Sequence, residues 1–431
     1  MAPEPKAPQG RGFWPQSPQA SGRPHLTKGE RKIMQFVHAE KVFPELLAWG
    51  EELVEIRHAV HQEPELGFET GQTVARIVRT LKGWGLESVD DQIVKGGVIV
   101  VVEGARPGKA VALRADIDAL GMPDTSGKPW KSCKAGCAHA CGHDGHQTWL
   151  MGALRYLNAH RDFPGRVVGI FQPAEEPAQG ARAVIASGVF EKYGIAEIFG
   201  AHTEPMLDKG VFGFRVGPLQ ASCDYFWLSI KGKSTHGGRP HLGVDPIPVA
   251  AQLISAAQSI VSRKINPIDT AVLSICAVNA GRYETPNVVP DEVKISGTAR
   301  TFVPQTRAFV EESFKTMLEN TARANGCTSS IQWEHSIPAV INEETTTRAG
   351  IETAQALFGE AFVRPSIDPF MSSEDFAEYQ QLVPGCMMRV GVRDAEHTAS
   401  VHSTAFDFND EVLPAAATLL AAIALKRLEA A

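Results

Sequence analysis

The chain has 431 residues, enough for two to three domains and a large core. Apolar residues make up 43% and charged residues 21%, which excludes a disordered or fibrous protein. With 42 basic and 49 acidic residues the net charge is −7, which argues against a sequence-independent nucleic-acid binder. Seven cysteines are too sparse for a disulfide scaffold and suit thiol chemistry or metal binding better. The most apolar terminal stretch, residues 415–425, is about half the length that a membrane-spanning helix needs, and no apolar leader follows the first residues. A cytoplasmic protein with no membrane contact is expected.

Residues 1–40 are rich in Pro, Gly, Gln and Ser without a period, which predicts a disordered extension. Leu46, Leu53, Ile56 and Val60 fit one apolar helix face, and a second helical pattern covers 70–81. Strands then alternate with helices. Short apolar runs at 98–102 and 110–113 precede a helix over 146–159, a strand over 167–171, a helix over 181–187 and a strand over 195–201. Continuous apolar strands separated by helices imply a largely parallel sheet covered on both faces.

After Pro218 the pattern changes. Residues 225–230 alternate like a half-buried strand, 246–265 read as a long helix, 271–278 and 293–299 as strands, 305–324 as a helix and 330–334 as a strand. This β-α-β-β-α-β order is the arrangement of a ferredoxin-like insertion. Mixed α/β character resumes near His335 and ends in a helix over 411–428. The expected fold is α/β: one domain built from 41–220 and 336–431, interrupted by an α+β lid at 221–335.

Two glycine-rich stretches fail as phosphate loops. Residues 104–109 are one short and run into Ala110, while Gly232-Lys233-Ser234 has Trp227 where the first glycine must stand. The strongest chemical signal is His139-Ala140-Cys141-Gly142-His143-Asp144-Gly145-His146, whose residues are costly to bury unpaired. Cys141 and His143, two apart, can point to one side of an extended segment, and Gly142 lets the backbone approach an ion. Thiolate and imidazole suit zinc or another divalent transition metal; a buried cysteine beside surface histidines is the competing reading.

Glu175 and Glu176 follow a predicted strand, at the edge where α/β sheets bind ligands. One carboxylate could hold a metal while the other takes a proton from water, although two solvated loop carboxylates read the same way. His202 follows the next strand, and His402 lies far downstream; taken singly, each also reads as a structural histidine. Asp116 and Asp118 could orient an imidazole or serve as caps. In the insertion, His236 sits on a glycine-rich turn, while Asn287 and Arg300 read equally well as turn chemistry and surface charge.

Together these motifs resemble the signatures of the aminoacylase/carboxypeptidase-type dinuclear metallohydrolases. Within them the match is to the branch of hippurate hydrolases, N-acyl-L-amino-acid amidohydrolases and plant auxin-conjugate hydrolases. Segments 57–67, 113–116, 371–376 and His402-Ser403 support it, so the resemblance runs from about residue 46 to 428. It implies a metal-binding α/β/α catalytic domain with a ferredoxin-like lid. It also implies two divalent ions, zinc or manganese with cobalt or nickel as alternatives, held by Cys141, His143, Glu176, His202 and His402. Glu175 is then the general base, and His236 a lid histidine that stabilises the tetrahedral intermediate, often across a dimer. Asn287 and Arg300 match lid motifs associated with substrate contact.

The implied activity is hydrolysis of an N-acyl amino acid or related amide by a homodimer or higher homo-oligomer joined through the lid. The alternatives are a dipeptidase or carboxypeptidase of the same family and, outside the enzymes, a metal-holding binding protein, against which the intact Glu175 argues. Some positions depart from the family pattern: Ala201, Thr203 and Glu204 around His202, Pro177 for a glycine, Ser234-Thr235 for small residues and Thr404 for a proline. They spare the expected ligands and alter the pocket wall, which calls the usual preference for simple aromatic acyl groups into question.

Overall fold

The computed structural model describes residues 34–430, so the expected extension lies outside the described residues except for its last few. Those few are packed: Val37 N–H donates to Glu411 O at 3.0 Å, and His38 Nε2–H donates to Gly210 O at 2.7 Å. The longer elements are α1 (Gly50–Gln62), α2 (Gly71–Gly83), β1 (Val98–Glu103), β2 (Arg106–Asp116), α3 (His143–Ala159), β3 (Pro164–Gln172) and β4 (Ile195–Asp208). Then come β5 (Cys223–Lys231), α4 (Pro246–Ser259), β6 (Ala271–Ala280), β7 (Glu292–Thr301), α5 (Pro304–Ala324) and β8 (Thr328–Ile337). The chain ends with β9 (Gly385–Arg393) and α6 (Leu413–Glu429). Among the described residues no helix is long and apolar enough to cross a membrane.

An eight-stranded sheet runs Ser88–Asp90, β1, β3, β2, β4, β9, Phe212–Gly213, Val363–Arg364. Its centre, β3–β2–β4–β9, is parallel, as the continuous apolar runs predict. The flanks join it antiparallel, Phe212–Gly213 on β9 and β1 on β3, the latter because the short link from β1 to β2 leaves no room for the crossover that a parallel pair needs. Side-chain alternation then sorts two faces. Ala110, Ala112, Val168 and Ile170 pack with the short helices Gly180–Ala186, Val189–Tyr193 and Phe376–Tyr379 on one side. On the other side α1, α3 and α6 pack together, and α3 is buried along most of its length.

The inserted segment forms an antiparallel sheet in the order β6, β7, β5, β8, with α4 and α5 packed on one face, the ferredoxin-like arrangement expected. Phe226, Leu228 and Ile230 of β5 face that core, while Tyr225 and Trp227 alternate outward.

Three sequence expectations shift. The apolar face over 46–60 breaks at Trp49 into Pro44–Ala48 and α1, and within α1 it is Arg57 rather than Ile56 that is fully buried. α3 opens three residues early, at His143. β4 runs on through His202 to Asp208 because β9 pairs beside it, with Arg389 opposite His202.

Arg57 escaped the periodicity because its partners are remote in sequence. Its Nε donates to Asp410 at 2.8 Å, and its Nη1 donates to Asp144 at 3.3 Å and Asp407 at 3.4 Å. His61, one turn on, donates from Nδ1 to Asp144 at 2.8 Å and from Nε2 to Asp124 at 3.2 Å. Asp144 lies in the first turn of α3, so this buried network clamps the helix end that carries His143 onto α1 and the C-terminal segment. With carboxylates on both nitrogens His61 is an imidazolium. Burial would lower its pKa, but Asp144 and Asp124 outweigh it and raise the value to about 9.

The unfolded chain releases that proton near pH 6.5, so its stabilisation is full below 6.5 and lost as pH rises through 9. The amount is on the order of 3 kcal/mol. The thermal midpoint should therefore fall across that window, and His61→Gln should flatten the fall. An equally steep fall in the variant would exonerate His61.

Candidate metal centre

The turn before α3 depends on one glycine. Gly142 has φ 87°, and a Cβ there would meet Thr203 Cγ2 at 2.7 Å. This tight turn places Cys141 and His143 together at the carboxyl edge of the sheet. His143 Nδ1–H donates to Asp118 O at 2.9 Å, and its Nε2 is buried without a hydrogen-bond partner; burial lowers the proton affinity of the ring, but Asp116 beside it outweighs this and raises it. His202 repeats the arrangement: Nδ1–H donates to Thr203 O at 2.7 Å, and Nε2 lies 3.4 Å from Cys141 Sγ. In both rings Nδ1 is anchored to a backbone carbonyl and Nε2 is the nitrogen left for a cation. His146 differs, because Nδ1–H donates to Asp116 at 2.6 Å and Nε2 accepts Thr203 N–H at 2.9 Å. Both of its nitrogens are spent, and it serves as an internal strut.

The paired glutamates are held by their backbone. Ala174 takes a left-handed φ of 52°, and the two oxygens of Asp118 accept Glu175 N–H at 3.0 Å and Glu176 N–H at 3.3 Å. Glu176 Oε1 is buried and unpartnered, 3.9 Å from His143 Nε2 and 3.6 Å from His402 Nε2. Glu175 Oε2 is 4.0 Å from His143 Nε2. His402, the most exposed member, arrives on a left-handed residue whose N–H donates to Ala140 O at 2.7 Å. Thr404, at the position where proline is usual, anchors this loop by accepting Thr125 N–H at 2.7 Å.

Charge at this edge is unbalanced. Arg114 is committed to Asp116 at 2.9 Å and to Glu374 and Asp375 at 3.0 Å each. Burial, reinforced by Glu374, Asp375 and Glu176, pushes the Glu175 carboxyl well above its ordinary range. Burial likewise raises Glu176 to about 7, with His143 pulling the other way. Ligand atoms of Cys141, Glu176 and His402 all lie within 4.8 Å of one another, as do those of His143, Glu175 and Glu176. A buried nitrogen and oxygen lacking partners, beside a thiol, imidazoles and surplus carboxylates, are the donor set of a divalent transition ion.

Of the nine residues singled out from sequence, seven converge here. A cavity of about 430 Å³ is lined by Cys141, Glu175, Glu176, His202, Arg300 and His402, with His143 adjoining. His236 and Asn287 do not join them. They sit on two exposed segments of the insertion that pair as a short antiparallel ladder, where His236 Nδ1 accepts Gly238 N–H at 3.0 Å and Asn287 O accepts Gly237 N–H at 2.7 Å. Among the other lining residues, the charged Glu374 and Arg389 had no role from sequence. For Arg389 the one available signal is a charge inside the apolar run 386–392.

An α/β sheet presenting imidazole, thiol and carboxylate donors at its carboxyl edge, beside an inserted ferredoxin-like lid, is the architecture of a metallopeptidase-type hydrolase. Residues 112–426 match the profile of peptidase family M20/M25/M40, and the chain belongs to that family. It is 39% identical over 383 residues to N-acetylcysteine deacetylase of Bacillus subtilis (strain 168), covering 89% of this chain and 98% of that protein. It is 37% identical over 391 residues to hippurate hydrolase of Campylobacter jejuni, covering 90% and 100%. Among solved structures it is similar to a dinuclear metal binding peptidase from the M20 family of Bacillus subtilis. That match has a TM-score of 0.79 and 35% identity over 89% of this chain and 99% of that one.

Asp118 sets the position of both glutamates, and its removal has a measurable cost. Asp118→Ala leaves two amide donors without acceptors, and each such buried group costs about 1–3 kcal/mol. A lower thermal midpoint and faster hydrogen exchange at Glu175 and Glu176 are expected. Unchanged exchange at both would show that Asp118 does not hold the loop.

Proposed function

We propose that this chain is a divalent-metal-dependent amidohydrolase that splits an N-acyl amino acid, or a related amide, into a carboxylic acid and an amine. The reading is carried by two buried atoms without partners, His143 Nε2 and Glu176 Oε1, 3.9 Å apart beside Cys141, His202 and His402. These five residues would hold two ions, zinc or manganese, with cobalt or nickel as alternatives. Bound ions supply polarisation of the amide carbonyl and a water acidic enough to lose a proton near neutrality. The deacetylase and the hippurate hydrolase among the similar proteins support an amide between an acyl group and an amino acid.

Glu175 carries the proton. Its raised proton affinity suits a group that must first accept a proton from water and then release it to the leaving nitrogen. As the water oxygen bonds to the amide carbon, the carbonyl electron pair shifts to oxygen. The pair then returns as the C–N bond breaks, and Glu175 protonates the amine. Arg300, with Nη1 buried and unpartnered at the cavity, would hold the substrate's carboxylate. His236 and Asn287 would reach a cavity from the neighbouring subunit of a homodimer joined through the inserted domain (221–335), a role that their exposure allows. All seven cysteines are unpaired, which favours the cytoplasm as the compartment.

Turnover of N-acyl amino acids by protein loaded with Mn²⁺, Zn²⁺ or Co²⁺ tests the activity, and failure on the whole panel would overturn it. Glu175→Gln should lower the rate by about 10²–10⁴-fold with metal retained. Glu176→Gln should lose metal. The opposite pattern would exchange the two roles.

The subunit-crossing role makes a separate prediction. His236→Ala should reduce kcat by about 10²–10³-fold, as the loss of one preorganised donor does. Mixing inactive His236→Ala and Glu175→Gln chains should then restore part of the activity, because one site of the mixed dimer holds both intact residues. Proven subunit exchange without recovery would confine His236 to its own chain.

A further inference from the structure

Arg389 is the residue at the cavity for which the reaction above has no use. It lies within β9, opposite His202 of β4, and lines the cavity wall. It is 4% exposed, and its Nε is buried with no hydrogen-bond partner. None of the ion pairs among the described residues includes it. The neighbouring acids are engaged elsewhere: Glu374 lies 3.0 Å from Arg114, and Glu204 Oε1 accepts Met206 N–H at 3.0 Å. The guanidinium packs over the Phe370 ring, 4.8 Å from its centre. Glu204 and Glu374 therefore balance its charge at a distance while its hydrogen bonds stay open. A buried cation without a bonded partner is strongly disfavoured, so a side chain kept in this state points to an anion that arrives from outside.

Arg300 approaches the same cavity from β7, with its own Nη1 buried and unpartnered and its guanidinium 5.7 Å from the Tyr225 ring centre. Two guanidiniums exceed what the single carboxylate of a simple N-acyl amino acid requires. Resting on the hydrolase reading, we propose that the substrate is dianionic, with one carboxylate held by Arg300 and a second held by Arg389. The planar fork of arginine matches a carboxylate with two parallel hydrogen bonds. The second carboxylate can stand on the acyl group, as in the monoamide of a dicarboxylic acid, or on the amino-acid side chain.

The test compares metal-loaded wild type and R389Q on N-acetylalanine, N-acetylglutamate and N-succinylalanine. Binding of glutarate against butyrate is measured on both proteins by calorimetry. Wild type should prefer one of the two dianionic amides, and the preferred one shows where the second carboxylate sits. R389Q should lower kcat/KM for that substrate about 10- to 100-fold more than for N-acetylalanine, chiefly through KM, with a parallel loss of glutarate affinity. No dianionic preference in wild type, or an equal loss on all substrates in R389Q, would overturn the proposal and make Arg389 a counter-charge. Thermal melts establish folding, and R389K, which keeps the charge without the fork, replaces R389Q if the latter does not fold. Inactivity on every amide would sink the hydrolase reading alone, because glutarate against butyrate still decides the role of Arg389.

Discussion

Carboxylates crowded at one sheet edge impose the constraint that the rest of this structure answers. Asp116, Asp118, Glu175, Glu176, Glu374 and Asp375 lie close together there, and Arg114 is the cation bonded among them. Burying so much like charge is unfavourable unless each group is satisfied. Four of the six are: Asp116 by Arg114 and His146, Asp118 by two backbone amides, Glu374 and Asp375 by Arg114. The unmet demand falls on Glu175 and Glu176, the pair for which a chemical role is proposed. Satisfaction of the neighbours thereby concentrates proton and cation affinity at two side chains.

The surrounding frame is correspondingly stiff. Beneath the start of α3, Arg57 and His61 neutralise aspartates drawn from three stretches of the chain. Above it, the loop of His402 is tied to residue 140 and to Thr125 by backbone hydrogen bonds. Left-handed backbone at Ala174 and His402 is tolerated because such ties hold it in place. The side chains that face the cavity therefore arrive with their directions largely set before any ligand does.

What could be read from sequence follows from how local each signal is. Cys141, His143, Glu175 and Glu176 stand out because costly residues cluster within a few positions of a strand or helix end. His202 and His402 are single residues, and only the resemblance to a family marks them. Arg57 escapes the first route and Arg389 both: a charge within an apolar period acquires meaning from partners or ligands that the period does not contain. The length of β4 is likewise set by β9, nearly two hundred residues away, and so is not written in its own composition. The alternation of strands with helices and the ferredoxin-like insertion were legible because periodicity suffices for them. The places of His236 and Asn287 relative to a cavity are not fixed by one chain's local pattern at all.

The way the insertion joins the main sheet carries a consequence for how such a protein can change. Cys223 pairs with Ile337 and Gln220 with Val340, so the outgoing and returning strands run side by side as an antiparallel ladder. Everything between them closes on itself, and β4 and β9 meet without feeling its length. A segment attached this way can be excised, exchanged or enlarged at its far end while the parent sheet keeps its register, because closing a longer loop costs only logarithmically more. Recombination at this seam would alter what covers the cavity and leave the carboxylate edge untouched, so the chemistry and its cover can diversify separately.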